Sequence, residues 1–160
     1  MTSLLSRMPI GIAGSVSRGE ATIEPVLIDS GTPPTAYGQV VKIVAGKLQP
    51  IASADAAAVV YGLTVRPFPF SNQSGSAQGL GAGTFPASGI CDVLRRGSMT
   101  VALARGTAVK GAACYVRITA DTGKLVGDIE DTADSAKCVA FGTFQGAADA
   151  SGNVEISYNI

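Results

Sequence analysis

The chain has 160 residues, 12 Lys and Arg against 12 Asp and Glu, and neither histidine nor tryptophan. Zero net charge argues against a polyanion partner, which needs a clear excess of Lys and Arg, and without histidine no Ser-His-Asp or Cys-His nucleophile pair and no His-containing zinc site can form. Only 15% of residues are charged, against about a quarter in an ordinary globular chain, so much of the surface is expected to be covered by other subunits.

Residues 1–19 are small and Gly/Ser-rich, with Leu4, Leu5, Met8, Ile10 and Ile12 scattered among them. Arg7, Pro9 and Gly11 interrupt any signal-peptide core, and Pro9, Gly11 and Gly14 disfavour helix. Five apolar side chains left in water are a liability. The segment is therefore expected to be an extended arm lying on a neighbouring subunit, serving partner binding more than folding. Residues 20–160 are expected to form one β domain, whose first strand is Ile23–Ile28.

An internal repeat follows. One copy runs from Gly31 to about Val65, the other from Gly106 to about Gln145. Val40-Val41-Lys42-Ile43 matches Tyr115-Val116-Arg117-Ile118, Gly46-Lys47-Leu48 matches Gly123-Lys124-Leu125, and Val60-Tyr61-Gly62 matches Ala140-Phe141-Gly142. The offset drifts only in turns, where insertions cost little. Each copy reads as strand, GKL turn, strand, a short Ala/Asp linker and a returning strand. The linkers, with Ser53 as N-cap in the first and Asp131–Ala136 in the second, are each expected to make a single helical turn.

Between the copies, residues 66–89 form a long Gly/Ser/Pro loop carrying Phe68, Phe70 and Phe85. These aromatics are unusual for a solvated linker, and a loop of this length is usually functional or disordered, so they are expected to meet a partner. Ile90–Leu94 and Met99–Leu103 read as a hairpin across Arg95-Arg96-Gly97-Ser98, with the two arginines in the turn, either solvated or in contact with a partner's carboxylates. A last strand, Val154–Tyr158, alternates cleanly. About nine short strands with Gly turns and no long helix predict an all-β sandwich or barrel-like domain.

Other motifs fail on spacing. Gly79-Leu80-Gly81-Ala82-Gly83 lacks the strand and helix of a phosphate loop. The run Asp128–Asp134 lacks the glycine and closing Glu of a calcium loop and reads as a solvated acidic turn. Cys91, Cys114 and Cys138 are odd in number and widely spaced, which suits small packing residues with free thiols. No stretch is apolar enough for a membrane helix. No cofactor or metal is expected, and no enzyme chemistry. Charge is uneven: residues 1–119 hold ten bases and five acids, residues 120–160 two bases and seven acids. This fits either faces that merely differ or complementary contact with a neighbour.

The opening MPIGIAGSVSRGEATIEPVLID, the stretch ICDVLRRGSMTVAL and the unit GTAVKGAACYVRI…GKLVG…AFGTF resemble tailed-phage capsid decoration proteins, also called structural cement or head-stabilisation proteins. The resemblance covers Met8 to Ile160. It implies an all-β homotrimer made in the host cytoplasm and placed on the outer surface of the virion. There it would bind across junctions of the major capsid protein, without nucleic acid or membrane. Leu4, Leu5, Met8, Ile10, Ile12, Phe68, Phe70, Phe85, Arg95 and Arg96 are the candidate contacts. Two other readings remain open, a tail or baseplate module and a carbohydrate-binding adhesion β-sandwich. The second is disfavoured by the lack of tryptophan for a sugar platform.

Overall fold

The computed structural model describes residues 11–53, 55–67 and 84–159. Nine strands appear in chain order: β1 (Thr22–Leu27), β2 (Val40–Val44), β3 (Lys47–Pro50), β4 (Gly62–Thr64), β5 (Ile90–Ala102), β6 (Ala113–Arg117), β7 (Ile129–Glu130), β8 (Cys138–Phe144) and β9 (Asn153–Asn159). They pair antiparallel in one sheet curled into a half-barrel, in the order β3-β2-β4-β5-β9-β8-β6-β7, with β1 paired to β5. Two 3-10 turns, Ala57–Val59 and Ser135–Lys137, take the place of the expected helical turns, each shifted towards the returning strand. No helix among the described residues is long and apolar enough to cross a membrane.

The repeat is visible in the strand order. Outward from the central β5–β9 pair, one side runs β4-β2-β3 and the other β8-β6-β7, so each copy supplies the same three strands in the same order. A 3-10 turn precedes the last strand of each. Local agreement is closest in the first strands. β2 forms where Val40-Val41 and Ile43-Val44 supply β-branched side chains, and it turns tightly into β3 through Ala45 and Gly46, with φ of 50° and 78°. Two positive φ values in a two-residue loop match the right-handed twist of the flanking strands.

The copies then diverge at the second GKL. Leu48 lies in β3 and is fully buried, whereas Leu125 is 69% exposed and β7 forms later, at Ile129–Glu130. The inserted residues make a turn of their own, in which Asp121 and Lys124 bridge.

Both faces of the β2 region are apolar. Val40, Leu63 and Leu94 join Met99, Val116, Phe144 and Ile156 in the main cluster inside the half-barrel. Val41, Leu48, Cys91 and Val93 form a second cluster, closed by Ile28, Tyr37 and Phe85. Full burial of such side chains contributes roughly 1.5–3 kcal/mol each.

Two expectations are corrected. In place of the expected 90–103 hairpin, Ile90–Ala102 is a single 13-residue strand. Arg95-Arg96-Gly97-Ser98 has turn composition, but the chain runs on through it. Residues 90–96 pair with β1, and residues 96–102 pair with β9. Gly97, at φ 136°, lets residues 18–21 bulge over the strand, because a Cβ there would lie 2.9 Å from the Glu20 carbonyl oxygen.

The second correction concerns the arm. Over Gly14–Ser17 the N-terminal segment lies on its own domain. The amides of Gly14 and Ser17 donate to the carbonyls of Thr100 and Ser98, the Thr100 amide donates to Ser15, and the Arg66 amide donates to Gly14. Backbone groups along β5 needed partners, and the segment supplies them.

Candidate interaction surface

β1 alternates, with Ile23, Pro25 and Leu27 on one phase and Thr22, Glu24 and Val26 on the other. Its register places Leu27 opposite Ile90 and Ile23 opposite Leu94. Leu94 is buried, while Ile23, Leu27 and Ile90 stay 41%, 49% and 69% exposed. On this face Pro25 lies between Ile23 and Leu27, exposed as they are, so an apolar run extends along one face of β1, with exposed Asp92 of β5 opposite Pro25. Opposite side chains on paired strands are close neighbours, and exposed apolar side chains that adjoin in this way mark contact surfaces.

Beside the run, where β1, β5 and β9 meet at Gly97, a cleft of about 720 Å³ opens. Arg18, Glu20, Arg96, Ser98, Ser157 and Asn159 contribute to its lining. Arg18 is taken up by Glu155 through two hydrogen bonds of 2.9 and 3.0 Å. Tyr158 also lines the cleft, and its buried hydroxyl has no partner among the described residues. Burial pushes its pKa up to about 12, so it stays protonated at neutral pH.

The residues anticipated from sequence scatter. Leu4, Leu5, Met8, Ile10, Phe68 and Phe70, like the glycines of 79–83, lie outside the described residues. Ile12 is half-buried, and its carbonyl accepts from the Ser15 amide at 3.0 Å. Phe85 is a core residue rather than a surface contact. It is 7% exposed and packs its ring 5.1 Å from that of Tyr37.

Arg95 and Arg96 part company. The Arg95 guanidinium sits 3.6 Å over the Tyr61 ring, donates to the Tyr61 carbonyl and lies 3.7 Å from Glu24, so it is bound within the domain. Arg96, one residue on, is exposed at the cleft.

The acidic run is not a solvated turn. Glu130 is 4% exposed and takes two hydrogen bonds from the fully buried Arg117, at 2.6 and 2.9 Å. Asp134 takes a third, at 3.0 Å. The Arg117 bonds hold the Glu130 carboxyl below the ordinary Glu range against the opposing effect of burial. Asp131 accepts from the Thr107 amide, and Asp128 from the Leu125 amide. The acids of the C-terminal part are thus engaged within the chain. The three cysteines are buried free thiols, and burial raises Cys91 to about 11. Among the described residues no group of three or more Cys, Asp or Glu is placed to hold a metal ion.

Ile23, Leu27 and Ile90 escaped the sequence reading. Their signal was present in the apolar residues on both phases of the 22–28 strand, but alternation alone does not say which face is covered.

The half-barrel also occurs in a solved phage shell. A chain of "The capsid of Myoviridae Phage XM1" aligns with TM-score 0.67 at 18% identity, over 99% of this chain and 96% of that one. Together with the family match, this makes the protein a structural protein of a phage capsid. The family model of the XM1 gp53 minor capsid protein matches residues 1–158, and the chain belongs to that family. No curated protein matches it.

Proposed function

We propose that this capsid protein decorates the outer surface of the shell and stabilises it by bridging junctions between major capsid subunits, as a homotrimer and without catalysis. The observation that carries this reading is the adjoining exposed apolar group Ile23, Pro25, Leu27 and Ile90, a cluster of the kind that marks contact surfaces. The low charge content points the same way. A rigid trimer holding several small patches together gains avidity that no single patch has.

The test is addition of purified protein to heads assembled without it, followed by cryo-EM and a measurement of resistance to heat. Density at intersubunit junctions together with a more heat-resistant head is the expected result. Binding to tails but not heads, or binding that leaves head stability unchanged, is the result that overturns it.

A further inference from the structure

Arg18, Arg66, Arg95, Arg105 and Arg117 each donate a hydrogen bond to a carboxylate or a backbone carbonyl. Arg96 alone among the described arginines has no such partner, although it opens onto a cleft with Ser98, Ser157 and Asn159. Glu20, the one acid on the lining, makes no ion pair with it. The cleft therefore holds a guanidinium with no hydrogen-bond partner among the described residues, beside the hydroxyls of Ser98 and Ser157 and the Asn159 amide, which can donate as well, and a guanidinium offers a planar fork matched to a carboxylate.

The geometry points to this cleft as the receptor for an acidic side chain of the shell protein, with Arg96 as its anchor; the inference rests on the capsid-binding reading above. The partner's identity follows from the acids of this chain. All 12 are in described positions. Ten of them, all but Glu20 and Asp92, already take hydrogen bonds within the domain. A second copy offers only two carboxylates without hydrogen bonds, Glu20 inside the cleft itself and Asp92, so an acid of the shell protein is the better match for Arg96.

The decisive experiment compares wild type, Arg96→Lys and Arg96→Glu for binding to undecorated heads across a salt series, with thermal melts and sedimentation of each free protein. Melts should coincide, because the exposed Arg96 side chain makes no hydrogen bond or ion pair with the described residues. At low salt Arg96→Glu should bind about tenfold or more weakly, with Arg96→Lys in between, and the gap should narrow as salt screens the contact. Wild-type affinity in Arg96→Glu overturns the inference while leaving decoration intact. Altered self-association with unaltered head binding also overturns it, by assigning the cleft to a second copy through Glu20. Failure of the wild type itself to bind heads removes the decoration reading instead.

Discussion

Lys42 and Arg117 stand 75 residues apart in matching positions of the two repeat copies, and each reaches an acid just before the 3-10 turn of its own copy. Lys42 Nζ lies 2.7 Å from Asp55 and Arg117 lies 3.0 Å from Asp134. Each pair ties the middle strand of its copy to the linker that leads into the returning strand. In the second copy Arg117 also takes Glu130 and is sealed from water. The pair has thus become a cluster around a fully buried arginine in one copy and stayed a partly solvated pair in the other.

The asymmetry sets their expected weights. Removing one partner of a buried pair leaves an uncompensated charge and costs about 3–5 kcal/mol, whereas an exposed pair is worth about 0–1 kcal/mol. Arg117→Met should therefore lower stability to urea severely. Lys42→Met should cost less, because both members of the Lys42–Asp55 pair keep some contact with water, whereas Arg117 keeps none. The double change Arg117→Met with Glu130→Leu should recover most of the loss, since no charge is then stranded. Equal losses for Lys42→Met and Arg117→Met would show that burial is not what separates them.

The same cluster sets the response to acid. Glu130, Asp134 and Asp121 all have pKa values lowered in the fold, by hydrogen bonds from Arg117 to the first two and from Lys137 to Asp121. A depressed carboxyl contributes stability that is fully present above its unfolded value. For Glu130 that value is near 4.5. The contribution is lost as pH falls through the lower folded value. Melting temperature should be level from neutral pH down to about 5 and should decline below the unfolded carboxyl range. Glu130→Gln should flatten the decline, a change visible in melts taken between pH 6 and 3.

Gly62 and Gly142 carry the repeat into close packing. A Cβ on Gly62 would lie 2.4 Å from the Leu94 carbonyl oxygen, and one on Gly142 would lie 2.7 Å from that of Ser157. In both copies, then, the returning strand presses its glycine against the backbone of the central pair. Alanine at either position should cost about 1–3 kcal/mol through forced backbone movement. Gly46→Ala, whose Cβ meets nothing within 4 Å, should cost only the left-handed backbone penalty of about 1–2 kcal/mol.

The parts of this design that could be read in advance are those encoded locally. β2 has its observed bounds in the sequence because Val40–Val44 is β-branched and ends in a tight turn signal. The returning strands and β9 were legible for the same reason. β5 was not, because Arg95–Ser98 has the composition of a turn and straightens only through pairing with β1 and β9, strands distant in sequence. The burial of Glu130 was hidden likewise. An acidic run looks solvated until Arg117, two strands' worth of loop earlier, is brought against it. On the surface, Arg96 was legible as a free charge but its neighbour was not, since Arg95 turns inward onto Tyr61.

The arm makes the last test. The sequence alone suggests that residues 1–19 are dispensable for folding, but Gly14–Ser17 makes four main-chain hydrogen bonds with Ser98, Thr100 and Arg66. Gly14 also packs against Tyr37, where a Cβ would come within 2.5 Å of the ring-bearing Cβ. Each net backbone bond is worth roughly 0.5–1.5 kcal/mol, and the carbonyls and amides left behind on β5 would have to find water. Regained chain entropy offsets part of this, about 1–2 kcal/mol per released residue. The burial of Tyr37 under the segment, together with the cation contact of Arg66 at 4.8 Å over the Tyr37 ring, favours the docked state. A chain beginning at Gly19 should therefore melt clearly below one beginning at Gly11, and the Thr100 amide, which donates to Ser15, should lose protection from hydrogen exchange in the shorter chain alone. Identical melts and identical exchange at that amide would mean that the segment rides on β5 without supporting it.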